Sequence, residues 1–516
     1  MKKISIILAL SAIVVGLLPS CKKNSSSGGE TTTLSTPPYQ IGQTIAPGNL
    51  PAGSYKGTMT SGNTYTINGN FIINKGDTLL LQPGVTVCAA PNSAAIVIVK
   101  GVLISLGTQA KPNYFTACSI TPTDAPEVNP ATDPTWNGGN GQWLGIACDT
   151  SCRLCDLQWT HIEYVGGLYP GTLPFNAGTS GAAAWPVFFQ NASGDFILTD
   201  SWIYGSCDDG IRFAGGRIYC ARNTLEKLGY TGGDGLNAKN GTQGDMSFNL
   251  CMGDATNTTK CSNKGGAATE CNINMYNNTY VDCGYRQASY AARGSDIDYE
   301  QQGEGICYNN LIVNCRNGIR VGNGENQIPW PDTTHLTIGY NYIYADSVWE
   351  VNQFFDNIAG SGLKPNAYIV PNFLVPPAST YLPNGGKDFY DPTSNPNGDD
   401  PAYNAPALAL QNNPMFVNFP LPEPIPAGGN LSYICSVNTG NALGVGTYDF
   451  HLKAGSPAIG VGFTGFKPFQ NIINPVSKDI TNANFAPIVS QPSADMGCYP
   501  SAGGGNQHTG TETYHN

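Results

Sequence analysis

Charge is scarce in this chain. Asp, Glu, Lys and Arg make up only 12% of its 516 residues, and few windows carry apolar residues at i, i+3, i+4 and i+7. Long amphipathic helices are therefore not expected, and short strands separated by turns are. Positive charge is scarcer still: the formal charge of −11 argues against nucleic acid as a partner and against a general attraction to acidic polymers. Apolar runs of membrane-spanning length are also lacking. The run from Ile4 to Leu18 is too short and wrongly flanked for a transmembrane helix. His161 and His335 stand without a recognisable serine or cysteine constellation, which leaves them as packed or surface side chains.

Glycine is abundant, with 63 residues in a chain of 54.5 kDa. That length admits several compact domains or one elongated repeat domain, and the composition favours the second. The N-terminus has Lys2 and Lys3, the apolar run, then "LPSC" ending at Cys21. This order describes a secretory signal over residues 1–20. The "LPSC" ending resembles the bacterial lipobox, whose cysteine becomes the acylated first residue of the mature chain. By that resemblance Cys21 is the lipidation site, and residues 21–55 form a flexible tether rich in Ser, Thr and Gly. The alternative is an ordinary cleaved signal that leaves Cys21 free.

Sixteen cysteines in an exported protein favour disulfides over reduced thiols. With Cys21 lipidated, fifteen remain and at least one is unpaired. "CDTSCRLC" gathers Cys148, Cys152 and Cys155 within eight residues. No fourth ligand lies nearby and an oxidising compartment competes for the thiols, so zinc is not expected there. All eight arginines fall between Arg153 and Arg320, together with many aspartates. Ionic chemistry belongs to the centre of the chain.

That centre repeats itself. "CDDGIRF" at 207–213 overlays "CRNGIRV" at 315–321, and "GGDGLNA" and "GEGICYN" follow the same grammar. A second element recurs as "NNTYVDC" and "NNLIVNC", more weakly as "RNTLEKL" and "YNYIYAD". Gly210 and Gly235 are 25 residues apart, which suits a solenoid rung of about two dozen residues whose core is a column of like side chains. Asp-Gly and Asn-Gly are expected to supply the tight turns. Cys207, Cys283 and Cys315 occupy matching places, so they form either a stacked apolar ladder or rung-to-rung disulfides, rungs being about 4.8 Å apart. Asp208 escapes the repeat, because its counterpart is Arg316.

Four stretches carry a family resemblance: "GDTLLLQPGVTVCAAPNSAAIVIVKGVLISLGTQAKPNYFTA", "WLGIACDTSCRLCDLQWTHIEYVGG", "FHLKAGSPAIGVG" and "ADMGCYP". The chain resembles the right-handed parallel β-helix proteins of the pectin-lyase-like superfamily, and more closely the β-helix lipoproteins of the Bacteroidetes type. The resemblance covers about 70 to 500, with a poor match near 350 to 445. It implies an all-β fold, a right-handed parallel β-helix solenoid with capped ends and an irregular Pro-rich insertion. The expected parts are the β-helix over 56–350, a Pro/Asn-rich insertion over 351–445, terminal rungs and cap over 446–500, and a disordered tail over 501–516. Residues 361 to 426 hold fourteen prolines, a density that opposes regular sheet pairing. Aromatic residues there, such as Tyr368, Phe373 and Tyr390, suit either sugar stacking or pinning of the loop.

Uronide lyases of this fold use a cation on the substrate carboxylate, carboxylates that hold the cation, and a base beside it. Asp208, Asp209 and Asp234, with Asn237, would offer oxygens to calcium. Lys239 would be the base if burial or neighbouring cations lowered its pKa. "GGDGLNAKNG" faintly resembles the "DGxxxK" stretch of family 9 pectate lyases, although Asp208 and Asp209 precede the lysine whereas that family's "DDG" follows it. Hydrolysis would need two carboxyls about 5 to 9.5 Å apart. Asp296, Asp298 and Glu300 alternate along a candidate strand and could project together, with Glu304 nearby. Arg212, Arg217 and Arg222, followed by Lys227, could cradle an acidic glycan.

The leading expectation is a monomeric, lipid-anchored cell-envelope protein, on the periplasmic or exterior face of the outer membrane. It would bind extracellular polysaccharide or act as a surface adhesin along the charged region from about 200 to 320. Substrate binding would fall to Arg212, Arg217, Arg222, Asp296, Asp298 and Glu300. The alternatives are a polysaccharide lyase or glycoside hydrolase acting on uronic-acid glycans, with Asp208, Asp209, Asp234 and Lys239 catalytic and calcium as cofactor, or a structural envelope protein. Nucleic acid is not an expected partner, and the only expected membrane contact is the lipid anchor.

Overall fold

The computed structural model describes residues 39–118, 142–171, 180–229, 232–284, 294–316, 318–322, 332, 334–348, 350–351, 405–419, 449–469 and 489–508, with the backbone of 367–370 and 380–381. Cys21, Arg286, Arg293, Phe373 and Tyr390 lie outside these residues.

Each turn of the chain gives one short strand to each of three faces. Asp195–Thr199, Trp202–Tyr204 and Ile211–Ala214 form one rung, and Arg217–Ala221, Thr224–Glu226 and Leu236–Lys239 form the next. Each strand pairs in parallel with its counterpart one rung on. The first face is a 12-stranded sheet. The second and third merge into a 20-stranded sheet, because the ten-residue strand Thr64–Ile73 rounds the corner and pairs with Thr86–Ala89 by its first part and with Ile96–Val99 by its last. Among the described residues helix is confined to short pieces such as Ala405–Leu408. The fold is a parallel β-helix, all-β as expected.

The period-two alternation of strands sets which residues form the core. On the third face, Ile146, Val187, Ile211, Leu236, Ile297 and Ile319 occupy one inward column. Phe189, Phe213, Ala238, Cys261, Tyr299 and Val321 occupy the other. Each of these side chains belongs to one continuous buried cluster. β-Branched and aromatic side chains fit this half-buried pleated surface.

The turn from the first to the second face carries an amide ladder. The Asn223 side-chain amide donates to Asn249 Oδ1 at 2.9 Å, Asn249 to Asn278 at 3.0 Å, Asn278 to Asn310 at 3.0 Å and Asn310 to Asn341 at 2.9 Å. The residue before each asparagine is left-handed, with φ of 60° at Arg222, 55° at Phe248, 52° at Asn277, 59° at Asn309 and 51° at Tyr340. Such angles cost about 1 kcal/mol or more per residue, and the amide bonds across rungs offset that cost. Four of these five are the asparagines of the recurring "NN", "RN" and "YN" pairs, and Asn249 follows Phe248. Asp-Gly was expected to make the turns, yet Gly210 and Gly235 serve a different end. A Cβ on Gly210 would meet Leu228 Cδ1 at 2.5 Å, and one on Gly235 would meet Thr258 O at 2.4 Å. They permit close approach of neighbouring rungs.

The ends differ from the expected boundaries. Residues 44–54, assigned to the tether, already form strands Thr44–Ile45 and Gly48–Ser54. Inside the Pro-rich insertion, Ala367–Val370 and Thr380–Tyr381 pair antiparallel on Ile319–Gly322 and Leu336–Gly339, occupying the last open edges of two faces. A dense proline content therefore did not prevent short pairing between the prolines. Residues 449–469 and 489–508 are not further rungs. They run back along the flank, where Cys498 N–H donates to Thr279 Oγ1 at 2.9 Å, Ser490 N–H donates to the Tyr219 hydroxyl at 2.7 Å, and His508 stacks on Trp202 at 3.5 Å. The last of these lies within the tail that was expected to be disordered, and His508 is buried.

Among the described residues one disulfide, Cys88–Cys118, staples neighbouring rungs with Cα atoms 4.9 Å apart. Cys283 and Cys315 do stack, since Val281 pairs with Val313 two residues earlier. Cys207 is displaced by one residue: the same place, two after Tyr204, belongs to Ser206.

Candidate functional site

The outward column of the third face reads Phe188, Arg212, Asn237, Lys260, Asp298 and Arg320 from rung to rung. Alternation along each strand adds Lys239 beside Ala214, and Glu300 beside Ser262. The loops leading into these strands add Asp208, Asp209 and Asp234. Candidate residues scattered over almost a hundred positions are thus brought to one face, because the solenoid returns the chain to it once per rung.

The lower half of this face is a closed ion network. Lys260 Nζ lies 2.9 Å from Glu300, 3.3 Å from Asp298 and 3.7 Å from Asp234. Arg320 Nη1 lies 2.7 Å from Asp298 Oδ1, and Nη2 lies 3.6 Å from Glu300. All five side chains are buried. Burial alone would raise Glu300, but Lys260 and Arg320 hold it down to about 2. Asp298 stays up at about 6, since its burial outweighs the same two cations. Burial would lower Lys260, and the three carboxylates around it instead raise it well above the ordinary lysine value.

The upper half is partly open. Arg212 lies over the Trp185 ring at 4.6 Å, and its Nε is 3.6 Å from Asp209 Oδ2. Trp185 Nε1 donates to Asp208 Oδ2 at 3.1 Å. The Arg212 side chain is 28% exposed. Burial, and after it the Asp209 charge, pushes Asp208 up to about 6. Lys239 is pulled down to about 8, first by burial and then by the Lys260 and Arg212 charges. Its ammonium makes no hydrogen bond or ion pair among the described residues.

The proposed calcium set does not form a cation site. Asp209 Oδ1 accepts the Asp234 N–H at 2.8 Å and Oδ2 accepts the Asn237 amide at 2.9 Å. Asp234 takes Asn257 at 2.9 Å, Asn237 at 2.7 Å and the Lys260 ammonium. Asp208 turns instead to Trp185. Donors already occupy the Asp209 and Asp234 oxygens that calcium would need, and Asn237 turns its amide nitrogen to both, leaving its own Oδ1 buried without a hydrogen bond.

Three other assignments also change. Arg217 pairs with Asp195 at 2.6 Å on the first face, and Arg222 sits at the amide-ladder turn, bound to Asp200 at 2.7 Å and to Ser490 Oγ at 2.8 Å. The regular spacing of these arginines follows the chain around the rung and so distributes them over different faces. Asp296 precedes the strand Ile297–Glu300 and lies with Cys283 and Cys315, away from Asp298 and Glu300. His161 is packed as expected, between Tyr114 at 4.5 Å and Trp202 at 4.2 Å.

Trp185, Asn257, Lys260 and Arg320 are the members that sequence reading did not single out for this face. A register argument could have found Lys260 and Arg320, since each lies one residue after an inward position. Trp185 precedes its strand and carried no such signal. In comparisons with known proteins, the chain matches no protein-family model, no curated protein and no solved structure.

Proposed function

We propose that this is a cell-envelope β-helix lipoprotein that binds an acidic extracellular polysaccharide on its third face, anchored at the outer membrane through Cys21. The observation that carries this reading is Lys239: a half-buried ammonium with no hydrogen bond or ion pair among the described residues, on the same face as the partly exposed guanidinium of Arg212. A uronate carboxylate between them would give the ammonium a direct ionic partner, beyond the longer-range pull of Asp209 and Asp234, and accept a bidentate bond from the arginine. The lower ion network holds the face in shape without competing for the glycan. The finer likeness to pectin-lyase-like lipoproteins agrees with this reading.

A uronide lyase is the second reading, and it rests on the Lys239 pKa of about 8. Roughly a tenth of such a lysine is free amine at pH 7, so it could take the proton beside a bound carboxylate. Arg212, rather than calcium, would then bear the substrate's charge.

Both readings are tested on a panel of polyuronides, by titration calorimetry and by the absorbance of unsaturated product. Binding that disappears in Arg212→Ala and Lys239→Ala supports the proposal, and binding unchanged in both variants sinks it. Product formation that depends on Lys239 would select the lyase. Membrane fractionation of Cys21→Ser tests the anchor, and retention of that variant in the membrane would count against it.

A further inference from the structure

A second group of side chains is enclosed where the chain leaves the second face and turns toward the third. Cys283, Asp296 and Cys315 are all 0% exposed. Their ligand atoms lie within 4.8 Å of one another. Two rungs and a loop supply them: the cysteines stack through the pairing of Val281 with Val313, and Asp296 enters just before Ile297. Asp254 and Cys251 share the enclosure, 1% and 0% exposed, and act electrostatically on these groups.

Asp296 is the informative member. Neither carboxylate oxygen has a partner in good hydrogen-bond geometry, the Cys315 thiol and the Gly318 backbone being the groups that approach it, and both oxygens are fully buried. An ionised carboxylate in that position is costly unless a cation meets it. A Cys283–Cys315 disulfide would consume the thiols and take from the carboxylate its contact with Cys315. A thiophilic divalent ion would satisfy all three at once.

We propose that Cys283, Cys315 and Asp296 bind a structural zinc ion that joins two rungs to the loop before Ile297. Two sulfurs and one oxygen suit zinc, whereas calcium and magnesium favour oxygen alone. Asp254 acts on the group only through its charge, lies outside the metal-sized set, and its Oδ1 accepts the Leu228 N–H at 2.9 Å, so the fourth ligand would be water. Binding displaces one proton from each thiol and from the carboxylic acid, and these protons pass to solvent. No oxidant or reductant takes part. The guanidinium of Arg316 offsets the surplus negative charge: fully buried, it donates to Gly284 O at 3.1 Å and abuts Gly294, beside both ligand segments. "CDTSCRLC", the cysteine cluster that stands out in the sequence, is not among the metal-sized groups of the described residues.

The test uses the whole protein, stripped with a chelator and reloaded with zinc or with cobalt(II). One equivalent of zinc and a thiolate-to-cobalt charge-transfer band are expected. Cys315→Ser and Asp296→Asn should each weaken zinc by more than about 100-fold, the upper end of what losing an outer-shell partner costs. Cys148→Ser should keep both signals. The proposal is overturned if the native protein holds no zinc after reloading, or if peptide mapping finds Cys283 bonded to Cys315. Zinc retention unchanged in Asp296→Asn overturns it equally. If the variants do not fold, the native protein decides: stripping should lower its Tm and reloading restore it, and a Tm indifferent to zinc overturns the proposal.

Discussion

At the turn between the first and second faces one amide repeats in every rung from Asn223 to Asn341, whereas the outward column of the third face changes at each step, from Arg212 through Asn237 and Lys260 to Asp298 and Arg320. An amide carries both donor and acceptor, so identical copies bond to one another indefinitely. A charge cannot stack on its own kind about 4.8 Å away. The charged column must therefore vary, and here Lys260, Asp298 and Arg320 alternate in sign. Uniform repetition builds a scaffold, and the column that cannot repeat is the one free to become specific.

Removing the centre of the charged network should have the largest effect. Lys260→Met leaves Asp234, Asp298 and Glu300 buried around a missing cation. A loss of about 3 to 5 kcal/mol is expected in urea unfolding, and adding Asp234→Asn and Glu300→Gln, which keeps the Arg320–Asp298 pair, should recover much of it. A loss under 1 kcal/mol would mean that the lower half is not the closed unit described. Breaking the scaffold column costs less. Asn278→Ala removes the acceptor for Asn249 and the donor for Asn310 and Met246 O, which should cost about 2 to 3 kcal/mol, read from the same urea midpoint. The same substitution should leave glycan affinity unchanged, which separates the two columns.

The smallest effect on stability, with opposite sign, belongs to Lys239. Its folded-state pKa lies below the ordinary lysine value, so the fold disfavours its charged form at neutral pH. Lys239→Met should therefore stabilise by about 1 kcal/mol, as a residue kept for function rather than folding does, while polyuronate affinity falls by about tenfold or more. In the native protein, affinity should decline as pH rises through about 8, because the ammonium that meets the carboxylate is then lost. A flat profile across that range, measured by calorimetry, would remove Lys239 from the binding face.

The solenoid was legible in the sequence because its signals are periodic. Gly210 and Gly235 marked the rung length, and the paired asparagines recurred at the head of the second element, although only the bonds between rungs show them as the amide ladder of a turn. Asp209, Asp234, Asp298 and Glu300 were legible as carboxylates of one central region. Their partners were not, since Lys260 lies in an irregular long rung and Trp185 lies outside the repeats. Arg217 and Arg222 misled for a related reason: equal spacing along a chain that turns corners does not mean a shared face. Asp296 misled because alternation holds only inside the strand, which begins one residue later at Ile297.

By itself the sequence determined the kind of fold. Short β-branched segments, punctuated by Asn, Asp and Gly at a period of about two dozen residues, cannot bury their inward faces except by stacking. Tertiary structure alone decided the chemistry of the surface. Whether Asp209 meets a cation, an amide or another carboxylate depends on its neighbour one rung away, and the length of each intervening loop sets that neighbour. A local pattern fixes which side chains point outward, but register across rungs fixes which of them meet.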